Sequence, residues 1–136
     1  MKVDYLVLLK RKMKTNLTSL KNTLQSNVCE IIFEKRRPKP GDSSRRKMLC
    51  TLDESLLNSV NGRTTLNYKP PSGPPKYNPG SKNLLPVWDI MMQSWRMVSM
   101  DSCEIVNTIP ENEFFDFFNE NIYPMSEDEK RAYMVT

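Results

Sequence analysis

Two alternating segments on either side of a turn-rich tip constrain this chain more than any other feature. From Val28 to Lys35, Cys29, Ile31 and Phe33 fall on one side and Glu30 and Glu34 on the other, the period-two pattern of a strand with one buried face. Arg46 to Leu52 alternates again, with Met48, Cys50 and Leu52 on the inward side. Between them, Pro38-Lys39-Pro40-Gly41-Asp42 is dense in residues that favour chain reversal. Together these segments predict a β-hairpin with an elongated tip. Lys35, Arg36, Arg37, Lys39, Arg45, Arg46 and Lys47 make that tip strongly cationic.

The remaining patterns extend this reading. Asn83 to Asp89, with Leu85 and Val87 alternating, and Trp95 to Met100 form a second antiparallel pair across a turn at Met91-Met92-Gln93-Ser94. Asp101-Ser102 turns the chain into a short strand, Cys103 to Val106. Short strands joined by tight turns predict a mainly β chain built on a small barrel. Ahead of them lies an apolar stretch, Val3 to Leu9, that suits a strand or an arm. Leu17, Leu20 and Leu24 then mark one face of a short helix, with Thr15 or Asn16 as its N-cap.

Pro110 is expected to end the barrel. Glu111 to Tyr123 reads as a helix bearing Phe114, Phe115, Phe117, Phe118 and Ile122, with Glu113, Asp116 and Glu120 pointing elsewhere. Ser126 followed by Glu129 is a capping box opening a last short helix. Three sections result: an arm over 1–14, a barrel over 15–109, and an acidic, Phe-rich helical tail over 110–136. The barrel section includes the basic hairpin 35–47 and a Pro-rich loop 53–83, whose Pro70, Pro71, Pro74, Pro75 and Pro79 favour extended backbone.

Composition narrows the chemistry. At 136 residues the chain has room for one domain with tails. It contains no histidine, which removes Ser-His-Asp and Cys-His catalysis, histidine bases and every His-containing metal site. Cys29, Cys50 and Cys103 are odd in number, lack CxxC spacing and sit beside apolar residues. They read as buried free thiols in a reducing compartment, and a three-thiolate metal site would lack its fourth ligand. Neither a paired carboxylate nor a Gly-rich phosphate loop is recognisable. The expectation is a protein that is not an enzyme and has no metal or cofactor.

The longest aliphatic run, Leu6 to Leu9, is far too short to span a bilayer. It precedes rather than follows the cluster Lys10, Arg11, Lys12 and Lys14, the wrong order for a secretion signal. A cytoplasmic location without membrane contact is expected.

The net charge of +4 is unevenly placed. Residues 1–109 carry 18 Lys and Arg against 9 Asp and Glu, whereas residues 110–136 carry 2 against 7. A basic body with an acidic tail suits polyanion binding, and equally suits a solvated surface with a self-complementary tail.

Ile31-Ile32-Phe33-Glu34-Lys35, a Gly-containing turn, and Arg46-Lys47-Met48-Leu49-Cys50-Thr51-Leu52 form one recognisable block. Leu85-Pro86-Val87-Trp88-Asp89, then Trp95-Arg96, then Asp101-Ser102 form another. Over roughly residues 16–106 the combination resembles the small SH3-like (Sm-like, WYL-related) β-barrel proteins of large tailed bacteriophages. The resemblance implies an SH3-like barrel and a phage origin, and no particular reaction. The longer and more basic hairpin tip, the large Pro-rich loop and the acidic tail depart from that pattern.

Two functions follow as expectations. In the first, Lys35, Arg36, Arg37, Lys39, Arg45, Arg46 and Lys47 track nucleic-acid phosphates, with Trp88, Trp95, Tyr68 and Tyr77 available for base stacking. Arg96, beside Trp95, is similar to the phosphate-receiving Arg of WYL-type sites. This is a phage accessory protein acting in the bacterial cytoplasm. The bland counterpart has both tryptophans plugging the barrel and Asp89 ion-paired with Arg96. In the second, Phe114, Phe115, Phe117, Phe118 and Ile122 dock into a host or phage protein, as in host takeover, anti-defence or a virion. Its bland counterpart has the same phenylalanines capping the barrel. Self-assembly stays open under both.

Overall fold

The alternating segments do pair. In the computed structural model, residues 13–35, 40–41, 44–61, 64–71 and 82–135 are described. The strands are β1 (Met13–Lys14), β2 (Asn27–Glu34), β3 (Arg45–Thr51), β4 (Val60–Asn61), β5 (Thr64–Thr65), β6 (Leu84–Asp89), β7 (Ser94–Ser99) and β8 (Glu104–Pro110). The helices are α1 (Leu17–Leu24), α2 (Glu54–Leu57), α3 (Glu111–Phe117) and α4 (Glu127–Met134), with α3 running on into a π-helical turn, Phe118–Ile122. The result is a small mixed α/β fold on an antiparallel sheet. The stretch Val3 to Leu9, the tip residues Arg36, Arg37 and Lys39, and Tyr77 lie outside the described residues.

β2 and β3 lie in register from Val28–Thr51 to Glu34–Arg45, with Cys29 opposite Cys50 and Ile31 opposite Met48. The Lys35 amide donates to the Ser44 carbonyl (2.6 Å) at the base of the connection, and Gly41 takes a left-handed conformation (φ 86°) that favours glycine. On its other side β2 pairs with β8, with one extra residue on β8, Val106, bulged opposite the Glu30–Ile31 step. β8 runs to Pro110, four residues past the expected end at Val106.

The sheet order is β1-β8-β2-β3-β6-β7, and the expected barrel is not closed. The reason lies in the second face. Cys29, Ile31, Phe33, Met48, Cys50, Leu85, Val87 and Val98 bury one face against Leu20 and Leu24 of α1. Val28, Leu49, Trp88 and Ile109 bury the opposite face against Leu56 and Leu57 of α2, Leu66, Phe114 and Ile122. With helices covering both faces, the sheet has no need to close upon itself to bury its apolar surface.

The segment 53–83, read as a loop, contributes to this second layer. Asp53 caps α2, its Oδ1 accepting from the Leu56 amide (3.1 Å), and β4 and β5 form a small hairpin before the buried Leu66. Other local signals operate as their residue types dictate. Asn16 caps α1 by accepting from the Ser19 amide (2.9 Å), and Ser126 and Glu129 form both bonds of the capping box of α4.

Phe114 is fully buried and packs on Phe115 and Phe118 at centroid separations of 5.4 and 5.5 Å. Phe114→Ala is expected to cost about 3–5 kcal/mol of unfolding free energy, measured by urea titration. A cost below about 1 kcal/mol would mean that the tail is not part of the core.

Burial pushes the Cys29 thiol up to about 11 and the Cys103 thiol to about 12, from an ordinary 9.0. Their contribution to stability is full below pH 9. It is lost as pH rises, because the unfolded chain ionises first. Urea midpoints should therefore fall between pH 9 and 11 in wild type, and fall less in Cys29→Ala.

Candidate nucleic-acid interface

The cations on β3 stand in a strand between acidic neighbours. Arg45, opposite Glu34, reaches the Glu34 carboxylate at 3.8 Å and that of Glu104 at 3.5 Å. Arg46 donates to Asp89 at 2.5 Å, with the Arg46 side chain 16% and the Asp89 side chain 1% exposed. The Lys47 ammonium lies 4.5 Å from the centroid of the Tyr133 ring. The Tyr133 hydroxyl donates to Glu30 Oε2 (2.5 Å), whose other oxygen accepts from Asn107 (3.2 Å). Burial foremost, and then the Glu30 charge, push the Tyr133 hydroxyl well above its ordinary range.

Asp89 is therefore paired with Arg46 and not with Arg96. The reason is register: Asp89 stands opposite Ser94 and Arg96 opposite Val87, so the two side chains are not cross-strand neighbours. Arg96 is half-buried and donates to the Trp95 carbonyl (3.3 Å). Trp88, Trp95 and Tyr68 pack edge-to-face on one another, at centroid separations of 5.3–6.0 Å. Trp88 is buried in the helix-covered second layer, and Trp95 Nε1 donates to the Lys69 carbonyl (2.9 Å). Three of the four candidate stacking aromatics are thus engaged with each other.

Lys35 has a different setting. It lines an open cleft of about 470 Å³ at the root of the hairpin, together with Glu34, Lys82, Leu84, Ser99, Asp101 and Ser102. Glu34 faces Arg45, and Asp101 accepts from Asn83 (2.8 Å). Ser102 Oγ accepts from the Glu34 amide (2.9 Å), tying the β7–β8 turn to the end of β2. Asn83, with φ of 55°, turns the chain at Lys82 into β6. Lys82 had no sequence signal beyond its charge: it follows the Pro-rich stretch, 47 positions from Lys35, and the fold brings the two together.

A second open cleft, of about 560 Å³, is lined by Ser26, Leu56, Ser59, Pro110, Glu111, Asn112, Phe115 and Asp116. It adjoins the start of β2, whereas the Lys35 cleft adjoins its end. Eight residues of strand separate them by roughly 23 Å. Here the charge is negative: Asp53 lies beside Glu111 and raises its carboxyl, first by hydrogen bonding and then by its charge. Among the described residues no three His, Cys, Asp or Glu side chains form a group able to hold a metal ion, and no helix is long and apolar enough to cross a membrane.

The tail residues divide. Phe114 and Ile122 are buried in the second layer, and Phe115, Phe117 and Phe118 are half-buried against it. Phe114 and Ile122 cannot reach a partner while the layer is intact, since their side chains fill the chain's own interior.

Arg46→Ala is expected to cost about 3 kcal/mol, because it leaves the buried Asp89 carboxylate without its cation. Arg45→Ala should cost less than about 1 kcal/mol, since its partners are solvent-screened. Urea titration of both variants separates the two roles, and equal costs would contradict it.

No protein-family model, no characterised protein and no solved structure matches this chain.

Proposed function

We propose that this chain is a non-enzymatic nucleic-acid-binding protein, its phosphate-contacting surface formed by the β2–β3 connection and the Lys35–Lys82 cleft at its root. One observation carries the reading. Arg45, Arg46 and Lys47 are engaged within the fold, whereas residues 35–44 concentrate Lys35, Arg36, Arg37 and Lys39 against one acid, Asp42. A dense cationic segment continuous with a cleft holding a further lysine suits phosphates spaced along a backbone. Its affinity comes from counterion release and carries little sequence preference. The acidic cleft at the far end of β2 would repel the same ligand, which orients the molecule on a polyanion.

On the motifs shared with small SH3-like phage proteins, we read the sheet as an opened relative of that barrel, in a phage accessory protein acting in the bacterial cytoplasm. Arg96 and the tryptophans have a packing role in this reading, and the contacts come from the tip.

The test is fluorescence anisotropy with labelled 20-nucleotide single strands of DNA and RNA at 50 and 200 mM salt. Wild type should lose affinity steeply with salt. The variant Lys35→Glu, Arg36→Glu, Arg37→Glu, Lys39→Glu should keep its fold and lower the slope of log K against log salt by about 3, at about 0.7 per phosphate contact. Binding that is absent in wild type, or unchanged in the variant, would overturn the proposal.

A further inference from the structure

The cleft at the start of β2 combines apolar and acidic walls. On α3, Glu111 and Phe115 stand one helical turn apart and share a face, as do Asn112 and Asp116 beside them. Leu56 of α2 and Ser59 just after it also line the cleft.

Behind this wall lies Asp53, only 2% exposed. Its Oδ1 accepts from the Leu56 amide (3.1 Å), whereas its buried Oδ2 has no hydrogen-bond partner among the described residues. A buried carboxylate oxygen ordinarily has a donor, because without one it forfeits its hydration uncompensated. What the Asp53 carboxyl meets instead is a second carboxyl. It comes within hydrogen-bonding range of Glu111 and raises it, while a hydrogen bond to Ser55 acts in the opposite direction. Two acids thus face each other where a donor is wanted, and the cleft opens on the outer one.

Capping α2 does not require this arrangement. Asn caps a helix as well as Asp does, and at position 53 its amide would offer Glu111 the missing donor. An acid kept at a cleft against the stability of the free chain is characteristic of a binding site.

We infer that this cleft binds an arginine side chain of a basic protein segment, Glu111 and Asp116 receiving the guanidinium and Phe115 and Leu56 the stem. Arginine meets each requirement of the lining. Its planar fork places two donors on one carboxylate, its methylenes lie along apolar surface, and its cationic face suits an aromatic ring. Among the described residues no group of three ligands stands ready for a bare metal ion. The inference goes beyond the nucleic-acid reading and does not rest on it, because this cleft repels phosphate.

The probe is the peptide acetyl-Ala-Arg-Ala-Arg-Ala-amide, titrated into the full-length protein and followed by backbone amide chemical shifts. A peptide with citrulline in place of arginine is the uncharged control. The arginine peptide should shift the Ser59, Asn112 and Asp116 amides saturably, and the citrulline peptide should not. Asp53→Asn and Glu111→Gln should each weaken binding about tenfold, the worth of one charge-assisted hydrogen bond. Both should also raise the urea midpoint, since each supplies the donor that the acid pair lacks. No saturable shift with arginine, equal shifts with citrulline, or the same shifts with magnesium chloride alone would overturn the inference. Unchanged affinity in both variants, or lowered midpoints in both, would overturn it as well and leave the acid pair a structural one. Should Asp53→Asn fail to fold, Glu111→Gln, at an exposed position, decides.

Discussion

The junction between β3 and β6 holds two halves of the sheet together, and the Arg46–Asp89 pair braces it. On one side lie β1, β8, β2 and β3, and on the other only β6 and β7. Two residue pairs, Cys50–Asp89 and Thr51–Trp88, bridge the halves, helped by the Ile90 amide donating to the Leu49 carbonyl (2.9 Å). So short a ladder leaves strand orientation weakly specified. Asp89 addresses this from both of its oxygens, one on Arg46 and the other accepting from the Met92 amide (3.0 Å) in the turn that starts the return to β7. A buried carboxylate so placed costs desolvation unless both partners are present. Its position therefore couples the β6–β7 hairpin to β3.

Thr51 performs the neighbouring task. Its buried hydroxyl lies 2.9 Å from the Asn27 carbonyl and 3.2 Å from that of Leu24, and accepts from the Asp53 amide (3.1 Å). The end of α1, the start of β2 and the cap of α2 thus meet on one side chain. That end of β2 is polar, acidic and tightly linked, and the other end opens into the basic connection. The asymmetry along one strand separates a tightly linked, acidic end from the end where the proposed interaction surface lies.

Much of this was legible, and the errors share a cause. Cys29, Ile31 and Phe33 announce an inward face by alternation, and register pairs them with Cys50 and Met48 as that pattern demands. The same segment also carries Val28 and Ile32 on its other side, and β6 carries Leu84 and Trp88 there, all buried. Near-continuous apolar runs of this kind mark strands covered on both faces, so the open two-layered sheet was encoded in residues that an alternation reading sets aside. The helix α2 has only four residues, too short to show a period, and its clearest signal is the capping Asp53. The Asp89–Arg46 pairing spans 43 positions and depends on a register that no local pattern specifies. Lys35 and Lys82 meet for the same reason.

An open sheet leaves edges, and their treatment connects the fold to its proposed use. On one side the described sheet ends with β1, paired to β8 at Met13–Ile105 and Lys14–Glu104. Beyond the β6 junction, among the described residues, Val135 bridges Arg46 of β3, with Met134 Sδ 3.4 Å from Arg46 Nη2 and Tyr133 under Lys47. The Tyr133 ring of α4 packs half-buried against the second layer, lies 4.5 Å from the Lys47 ammonium and donates its hydroxyl to Glu30. The last turn of α4 therefore joins the start of β3 to the second layer, through Val135 on Arg46 and Tyr133 between Lys47 and Glu30.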